Sequence, residues 1–119
     1  MILSHMANES VDTLTPLFNA LADPTRRAVI ETLAAGPKPV SDLALPHDMA
    51  LPSFLKHLDR LEQAGVITTK KAGRVRTCTL RPEAFEPVQN WLDRERNRWA
   101  GALDRLSAHL DALEKEPKQ

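Results

Sequence analysis

The stretch LPSFLKHLDRLEQAGVITTKKAGRVRTCTL, residues 51–80, decides the fold. Its first half places Phe54, Leu58 and Leu61 at i, i+4 and i+7, the spacing of one apolar helix face. Its second half is rich in β-branched residues on both sides of Gly73, which predicts a hairpin with strands at 66–71 and 74–80. The segment is therefore an amphipathic helix that runs directly into a β-hairpin.

The polar residues of this stretch are mostly cationic. Residues 50–82 hold seven Lys and Arg against two Asp and Glu, a local charge of +5, whereas the remainder carries −5. A helix with a polar face followed by a basic hairpin is suited to double-stranded DNA. A solvated hairpin whose basic edges block aggregation is the alternative. The candidate DNA contacts are Ser53, Lys56, His57, Arg60, Lys70, Lys71, Arg74 and Arg76.

The residues before this stretch read as three further helices. Asp23 is a good N-cap and Pro24 suits a first helical position, so a helix begins there. Gly36 then ends that helix, and Pro46 stops the next one. These three helices are predicted at 13–22, 24–35 and 40–45, and the helix of the stretch itself at 52–64.

The residues after the hairpin predict a long last helix. Its apolar positions step by 7, 4, 3, 4 and 3 from Leu92 to Leu113, a heptad-like seam that usually packs against a partner helix. The fold class predicted is mainly α, a winged helix-turn-helix at 12–82 with a two-stranded wing, a dimerisation helix at 83–113 and a frayed tail at 114–119. The predicted homodimer interface consists of Leu14, Leu17, Phe18, Leu92, Trp99, Leu103, Leu106 and Leu110.

Several linked motifs resemble the ArsR family of bacterial winged-helix repressors. The resemblance extends over roughly residues 12–113, and the motifs follow the family's order and spacing. The resemblance implies a homodimeric transcription regulator that binds DNA through residues 51–64 and 66–80, at an inverted-repeat operator, and that some signal releases. The matching segments are 18–27 (FNALADPTRR), 56–58 (KHL), 61–67 (LEQAGVI), 73–76 (GRVR) and 80–82 (LRP).

The chain also departs from the family pattern. Ala50 and Leu55 stand where recognition helices of the family commonly carry serine. Leu51 or Leu55 is expected either to touch a thymine methyl or, for one or both, to pack locally. Residues 40–44 lack the family's Cys-x-Cys metal site, and His109 has no second histidine on the last helix. No metal ligand is therefore carried over, no cofactor is expected, and the inducer stays unknown.

Composition excludes some other classes. One domain is expected from 119 residues, and residues 1–5 resemble a cloning scar. No signal peptide or membrane-length apolar run is seen, and the single Cys78 fits a reducing cytoplasm. The chain has no Gly-rich phosphate loop, no nucleophile elbow and no His-Glu-x-x-His, so we do not expect an enzyme.

Some residues allow more than one interpretation from the sequence alone. His57 is either a DNA contact or a structural hydrogen-bonding residue. Arg26 and Arg27 cap a helix, pair with Glu31 or contact phosphate. Cys78 reads as a buried inert thiol rather than a redox sensor. The function classes that compete with a DNA-binding regulator are a winged-helix module that binds only proteins, and a regulator that responds to metal or redox state.

Overall fold

A computed structural model describes residues 12–115 of the chain. They divide into a compact unit that ends at Val88 and a second unit, the helix from Gln89 onward. The predicted cloning scar at 1–5 and residues 116–119 of the predicted tail lie outside the described range. The elements are α1 Leu14–Leu21, α2 Pro24–Leu33, β1 Lys38–Pro39, α3 Val40–Ala44, α4 Leu51–Gln63, β2 Ile67–Ala72, β3 Val75–Leu80, a 3-10 turn Pro82–Phe85 and α5 Glu86–Lys115.

The sheet has three antiparallel strands in the order β1-β3-β2: the predicted two-stranded wing, β2 with β3, is confirmed, and a third strand that was not predicted joins it. The missing strand is β1, in which Lys38 is paired with Cys78 and Pro39 with Thr77. Two residues that include a proline give no alternating pattern, and proline cannot donate a ladder hydrogen bond. The periodicity of the sequence therefore could not predict the edge strand Lys38–Pro39.

The turn between α1 and α2 forms as the sequence predicts. The Asp23 carboxylate accepts hydrogen bonds from the backbone N–H groups of Thr25 (2.8 Å) and Arg26 (3.1 Å), and Pro24 occupies the first turn of α2. Partial burial alone would raise the pKa of Asp23, but the N–H donors and the nearby His57 outweigh it and lower that pKa. Asp23 thus caps α2 as a carboxylate.

The core lies between the helices and the sheet of the compact unit. The apolar face of α4, Phe54, Leu58 and Leu61, is buried there as its spacing predicts. Leu17 of α1 is also buried, only 3% exposed within its own chain, so it has almost no surface to offer a partner. The prediction that Leu17 belongs to a dimer interface is therefore wrong. Helical periodicity identified its apolar stripe but could not say what covers each member.

Cys78 sits in the same core, in the central strand β3. It is completely buried, and burial raises the pKa of its thiol, although Thr69 and Arg76 act in the opposite direction. Reactive cysteines are instead exposed and have a lowered pKa. The interpretation of Cys78 as a buried thiol is confirmed, and this environment disfavours the redox-sensor reading.

Helix α5 is continuous from Glu86 to Lys115, so Glu114 and Lys115 belong to the helix and not to a frayed tail. Its seam residues Leu92, Trp99, Leu103, Leu106, Leu110 and Leu113 are all exposed. At 100° per residue they fall within an arc of about 80°. No helix within residues 12–115 is long and apolar enough to cross a membrane.

Candidate nucleic-acid interface

The outward face of α4 borders an open groove of about 410 Å³. Because Phe54, Leu58 and Leu61 point into the core, the residues offset from them by about half a helical turn point away from it. All four helix residues predicted to contact DNA meet in this groove. Its lining, which we call the α4 groove, is Asn19, Arg26, Ser53, Lys56, His57 and Arg60.

Arg26 forms one wall of the α4 groove, and its guanidinium is held at three points. Nε donates to the carbonyl oxygen of Ala20 at 3.2 Å, and NH2 donates to that of Asn19 at 2.7 Å. NH1 lies 3.0 Å from Nδ1 of His57. Arg26 therefore joins the carboxyl end of α1 to α4. Of the alternatives left open for this residue, the structure shows the capping role.

The neighbouring arginine has a simpler role. Arg27 NH1 donates to the carbonyl oxygen of Leu21 at 2.7 Å, so Arg27 also satisfies a carbonyl at the end of α1. It is exposed and is absent from the lining of the α4 groove. The sequence placed both arginines at the start of α2 but could not show that they reach back over α1.

The exposed cations of α4 are more loosely held than Arg26. Arg60 NH1 is 3.5 Å from the amide oxygen of Asn19, at the limit of a hydrogen bond. Within residues 12–115, Lys56 has no salt-bridge partner. Asn19 was missed by sequence reasoning, since an asparagine near a helix end gives no signal that distinguishes a groove wall from a solvated position. Lys56 and Arg60 are thus available to an anion in the groove.

The wing carries the other four predicted contacts, Lys70, Lys71, Arg74 and Arg76, all exposed. Ala72 pairs with Val75, so the turn consists of Gly73 and Arg74. Gly73 has φ of 62°, and no other residue of the turn has a positive φ, which matches the type II′ hairpin turn. This turn brings Arg74 to the tip of the wing.

The register of the wing places two cations directly opposite each other. Lys71 on β2 pairs with Arg76 on β3. Like charges at paired positions of a sheet repel and destabilise the hairpin. The pair is therefore explained better by a polyanionic partner than by the stability of the folded chain.

Leu51 and Leu55 occupy the start of α4 beside the wing. Leu55 is half-buried and packs against the core, which confirms local packing at this departure from the family pattern. Leu51 is 55% exposed. A recess of about 270 Å³ connects this part of α4 to the wing, so the two candidate DNA-contacting elements adjoin. Its lining is Pro39, Val40, Ser41, Leu51, Leu55, Arg74, Val75 and Arg76.

Comparison with known proteins identifies the family. A family model described as a helix-turn-helix domain matches residues 21–70. The HTH-type transcriptional regulator Rv2034 of Mycobacterium tuberculosis is 35% identical over 95 residues, which cover 80% of this chain and 86% of that protein. The crystal structure of an ArsR family transcriptional regulator is 53% identical, with a TM-score of 0.72, and covers 75% of this chain and 98% of its own. This chain belongs to the ArsR family.

Two further relatives add detail about the family. The transcriptional repressor SdpR of Bacillus subtilis is 32% identical over 76 residues, which cover 64% of this chain and 84% of the repressor. A homodimeric winged helix-turn-helix DNA-binding domain from Mycobacterium bovis, 23% identical with a TM-score of 0.59, shares the fold over 76% of this chain and 88% of its own. The predicted winged helix-turn-helix fold and the predicted role in transcription regulation are confirmed.

The family's metal-sensing members give one more comparison. Within residues 12–115, no three His, Cys, Asp or Glu side chains are grouped so that they could hold a metal ion. The described groove is instead lined by amide, hydroxyl, imidazole and cationic groups. This set of donors suits phosphate oxygens and the acceptor edges of bases.

Proposed function

We propose that this ArsR-family regulator binds an inverted-repeat operator as a homodimer and represses transcription. The observation that carries the proposal is the division of α4 into a buried apolar face and a face that lines the α4 groove. A helix fixed by its core side can enter a major groove while its polar side chains approach base edges. In this reading Ser53, Lys56 and His57 approach bases, and Arg60 contacts phosphate.

The wing supplies the second half of the proposed contact. Lys70, Lys71, Arg74 and Arg76 are exposed, and the opposed pair Lys71 and Arg76 gains from an anion close by. If four to six cations per dimer neutralise phosphates, log K should fall with log[salt] with a slope of about −4 to −5. Contacts of this kind strengthen binding to any DNA sequence.

The homodimer is proposed from the exposed seam of α5. Six large apolar side chains on one helix face are costly to leave in water, and a second copy of the same helix can cover them. The homodimeric relative with the same fold supports this assembly. A two-fold dimer presents two α4 helices, which accounts for the proposed inverted repeat.

The proposed repression is supported by the curated relative that is itself named a repressor. A dimer seated across a promoter with both α4 helices and both wings on the DNA would occupy surface that RNA polymerase needs. A promoter fused to a reporter gives the sign directly. Deletion of the regulator should raise the reporter signal, and a fall would identify an activator.

The decisive test of DNA binding is sequencing of the genomic DNA that crosslinks to the protein. We expect enrichment of one inverted repeat, and gel-shift titration of that repeat should give saturable binding that scrambled half-sites lose. Lys56→Ala should weaken the recovered site more than scrambled DNA. If no sequence is enriched and no duplex binds, the winged helix acts on a partner other than DNA.

The dimer is tested separately by sedimentation of seam variants. Leu106→Glu buries a charge in the proposed interface and should shift the protein toward monomer at micromolar concentration. The matched control is Ala108→Glu, which adds the same charge on the opposite face of α5 and should leave the dimer intact. Equal sedimentation of both variants would rule out the seam as the interface.

A further inference from the structure

We propose that Arg26 is a positioning residue for DNA recognition, because its contact with Nδ1 selects the tautomer of His57 that carries its proton on Nε2. α4 then presents a hydrogen-bond donor at position 57. The consequence for DNA rests on the proposed function, whereas the state of the ring is a property of the free protein.

The contact between the two side chains determines which ring nitrogen carries the proton. Arg26 NH1 lies 3.0 Å from His57 Nδ1. A guanidinium only donates hydrogen bonds and stays protonated in proteins, so Nδ1 must accept. A protonated Nδ1 would instead put two donors against each other at this distance. The remaining proton of a neutral ring therefore sits on Nε2.

Arg26 cannot turn away from His57 without breaking its hydrogen bonds to two backbone carbonyl oxygens. Its Nε and NH2 are hydrogen-bonded to the carbonyl oxygens of Ala20 and Asn19, and the guanidinium is planar and rigid. Two backbone acceptors thus fix the plane that aims NH1 at the ring. The acceptors lie at the end of α1, where carbonyl groups lack partners within the helix.

Asp23, the other charged group near the ring, does not compete strongly with Arg26 for a hydrogen bond to Nδ1. The Asp23 carboxylate oxygen that lies nearest to Nδ1 is 3.7 Å away, beyond hydrogen-bond distance, and already accepts two backbone N–H groups. Lys56 and Arg60 line the same groove as His57, but neither side chain has an acceptor atom that could bind a proton on Nδ1. No hydrogen bond from Nε2 to a protein acceptor is found among residues 12–115.

A fixed donor at position 57 limits what the helix can read. Nε2–H can donate to guanine N7 or O6, adenine N7, thymine O4 or a phosphate oxygen. It faces the exocyclic amino groups of cytosine and adenine as donor against donor, which is unfavourable. Arg26 would therefore influence base preference although it acts through His57.

The first test measures the protonation of the ring in the free protein. Long-range proton–nitrogen NMR of the imidazoles distinguishes a protonated nitrogen from an unprotonated one, and His57→Gln assigns the signal among the four histidines. At about pH 8, well above the ordinary pKa of histidine, we expect an unprotonated Nδ1 and a protonated Nε2 in the wild type. A proton on Nδ1, or an even mixture of both forms, overturns the proposal.

Two variants separate positioning from helix capping. Arg26→Met should give a mixture of both ring forms, and Arg26→Lys, which keeps the charge but cannot span two carbonyls and the ring, should do so too. The matched control is Arg27→Met, since Arg27 also caps α1 through Leu21 but lacks the contact with His57. Unchanged ring protonation in both Arg26 variants overturns the proposal, and so does a change in Arg27→Met.

The second test is selection of half-sites from random DNA. His57→Ala and Arg26→Met should relax preference at the same base position, by roughly twofold to tenfold for one hydrogen bond, while Arg27→Met keeps the wild-type preference. Relaxation at different positions contradicts the proposal. Failure of the wild type to bind any DNA defeats the proposed function, and the NMR result then decides the ring state alone.

Discussion

Helix α4 and the wing lie side by side but are held by different means. α4 buries Phe54, Leu58 and Leu61 in the core, and its polar face touches Arg26 through His57. The wing is held by its backbone ladder, and its outer residues from Lys70 to Arg76 are exposed. Side chains fixed on a packed helix can discriminate between bases, whereas exposed cations on a hairpin bind any phosphate backbone. In the proposed function, this difference assigns base specificity to α4 and general DNA affinity to the wing.

The largest expected effect comes from removing the anchor of α4. Phe54 is fully buried and stacks on His47, with ring centroids 5.4 Å apart. Phe54→Ala should lower the free energy of unfolding by about 3–5 kcal/mol, because it removes a large side chain and leaves a cavity. Urea unfolding measures this loss. Val75→Ala, at a half-exposed position of the wing, should cost less than about 1 kcal/mol. Similar losses would mean that the wing is packed as firmly as α4.

The next effect concerns the wing arginines. Arg74→Ala with Arg76→Ala removes four cations per dimer, which should reduce the salt slope by roughly 2–4 and weaken binding on the order of a hundredfold. The loss should be the same for operator and scrambled DNA, as fluorescence anisotropy at several salt concentrations would reveal. Arg94→Ala with Arg105→Ala removes equal charge from α5 and serves as the control. A loss confined to the operator would assign base reading to the wing.

A smaller effect is expected at the turn of the wing. Gly73 has φ of 62° and open space around its α-carbon. Gly73→Ala should therefore destabilise the chain through backbone strain alone, by about 1–2 kcal/mol. Gly73→Asn should cost less, since asparagine tolerates this conformation better. Equal thermal unfolding midpoints for the two variants would show that the turn can change its conformation freely.

The sequence predicted the elements whose signals are periodic or local. The buried face of α4 follows from its spacing, and the cap at Asp23 follows from residue type and position. The features that the sequence did not predict depend on contacts between distant parts of the chain. Arg26 and His57 are separated by 31 positions, and no local pattern pairs them. β1 is too short to show alternation. The fate of Leu17 depends on which neighbour covers it, and a stripe of leucines does not specify that.

Helix α5 is a second case in which the sequence predicts an apolar face but not what covers it. Its seam was predicted from spacing, and the exposure of Trp99 and Leu106 agrees with that prediction. Exposure of these side chains leaves the surface that covers them to be identified by experiment. The assignment of the seam to a homodimer therefore depends on the sedimentation of the Leu106 and Ala108 variants.

The smallest effect is expected at Asp23, which lies beside the polar face of α4. Asp23 caps α2 and lies 3.7 Å from His57. Asp23→Ala should cost about 1 kcal/mol in urea unfolding at neutral pH, the usual worth of an N-cap. Asp23→Asn keeps a capping oxygen and should cost less, so the difference between the Asn and Ala variants isolates the cap from the charge.

The pH dependence of wild type compared with Asp23→Asn isolates the contribution of the carboxylate charge. Because folding lowers the pKa of Asp23 below its ordinary value of 3.8, the carboxylate stabilises the folded state above that value. This contribution is lost as the pH falls through the lowered folded pKa. The advantage of wild type over Asp23→Asn should therefore be constant from pH 7 to about pH 5 and shrink below about pH 4. An advantage that grows as the pH falls would mean that folding raises the pKa of Asp23, and the N–H donors of Thr25 and Arg26 could not then be what stabilises the carboxylate.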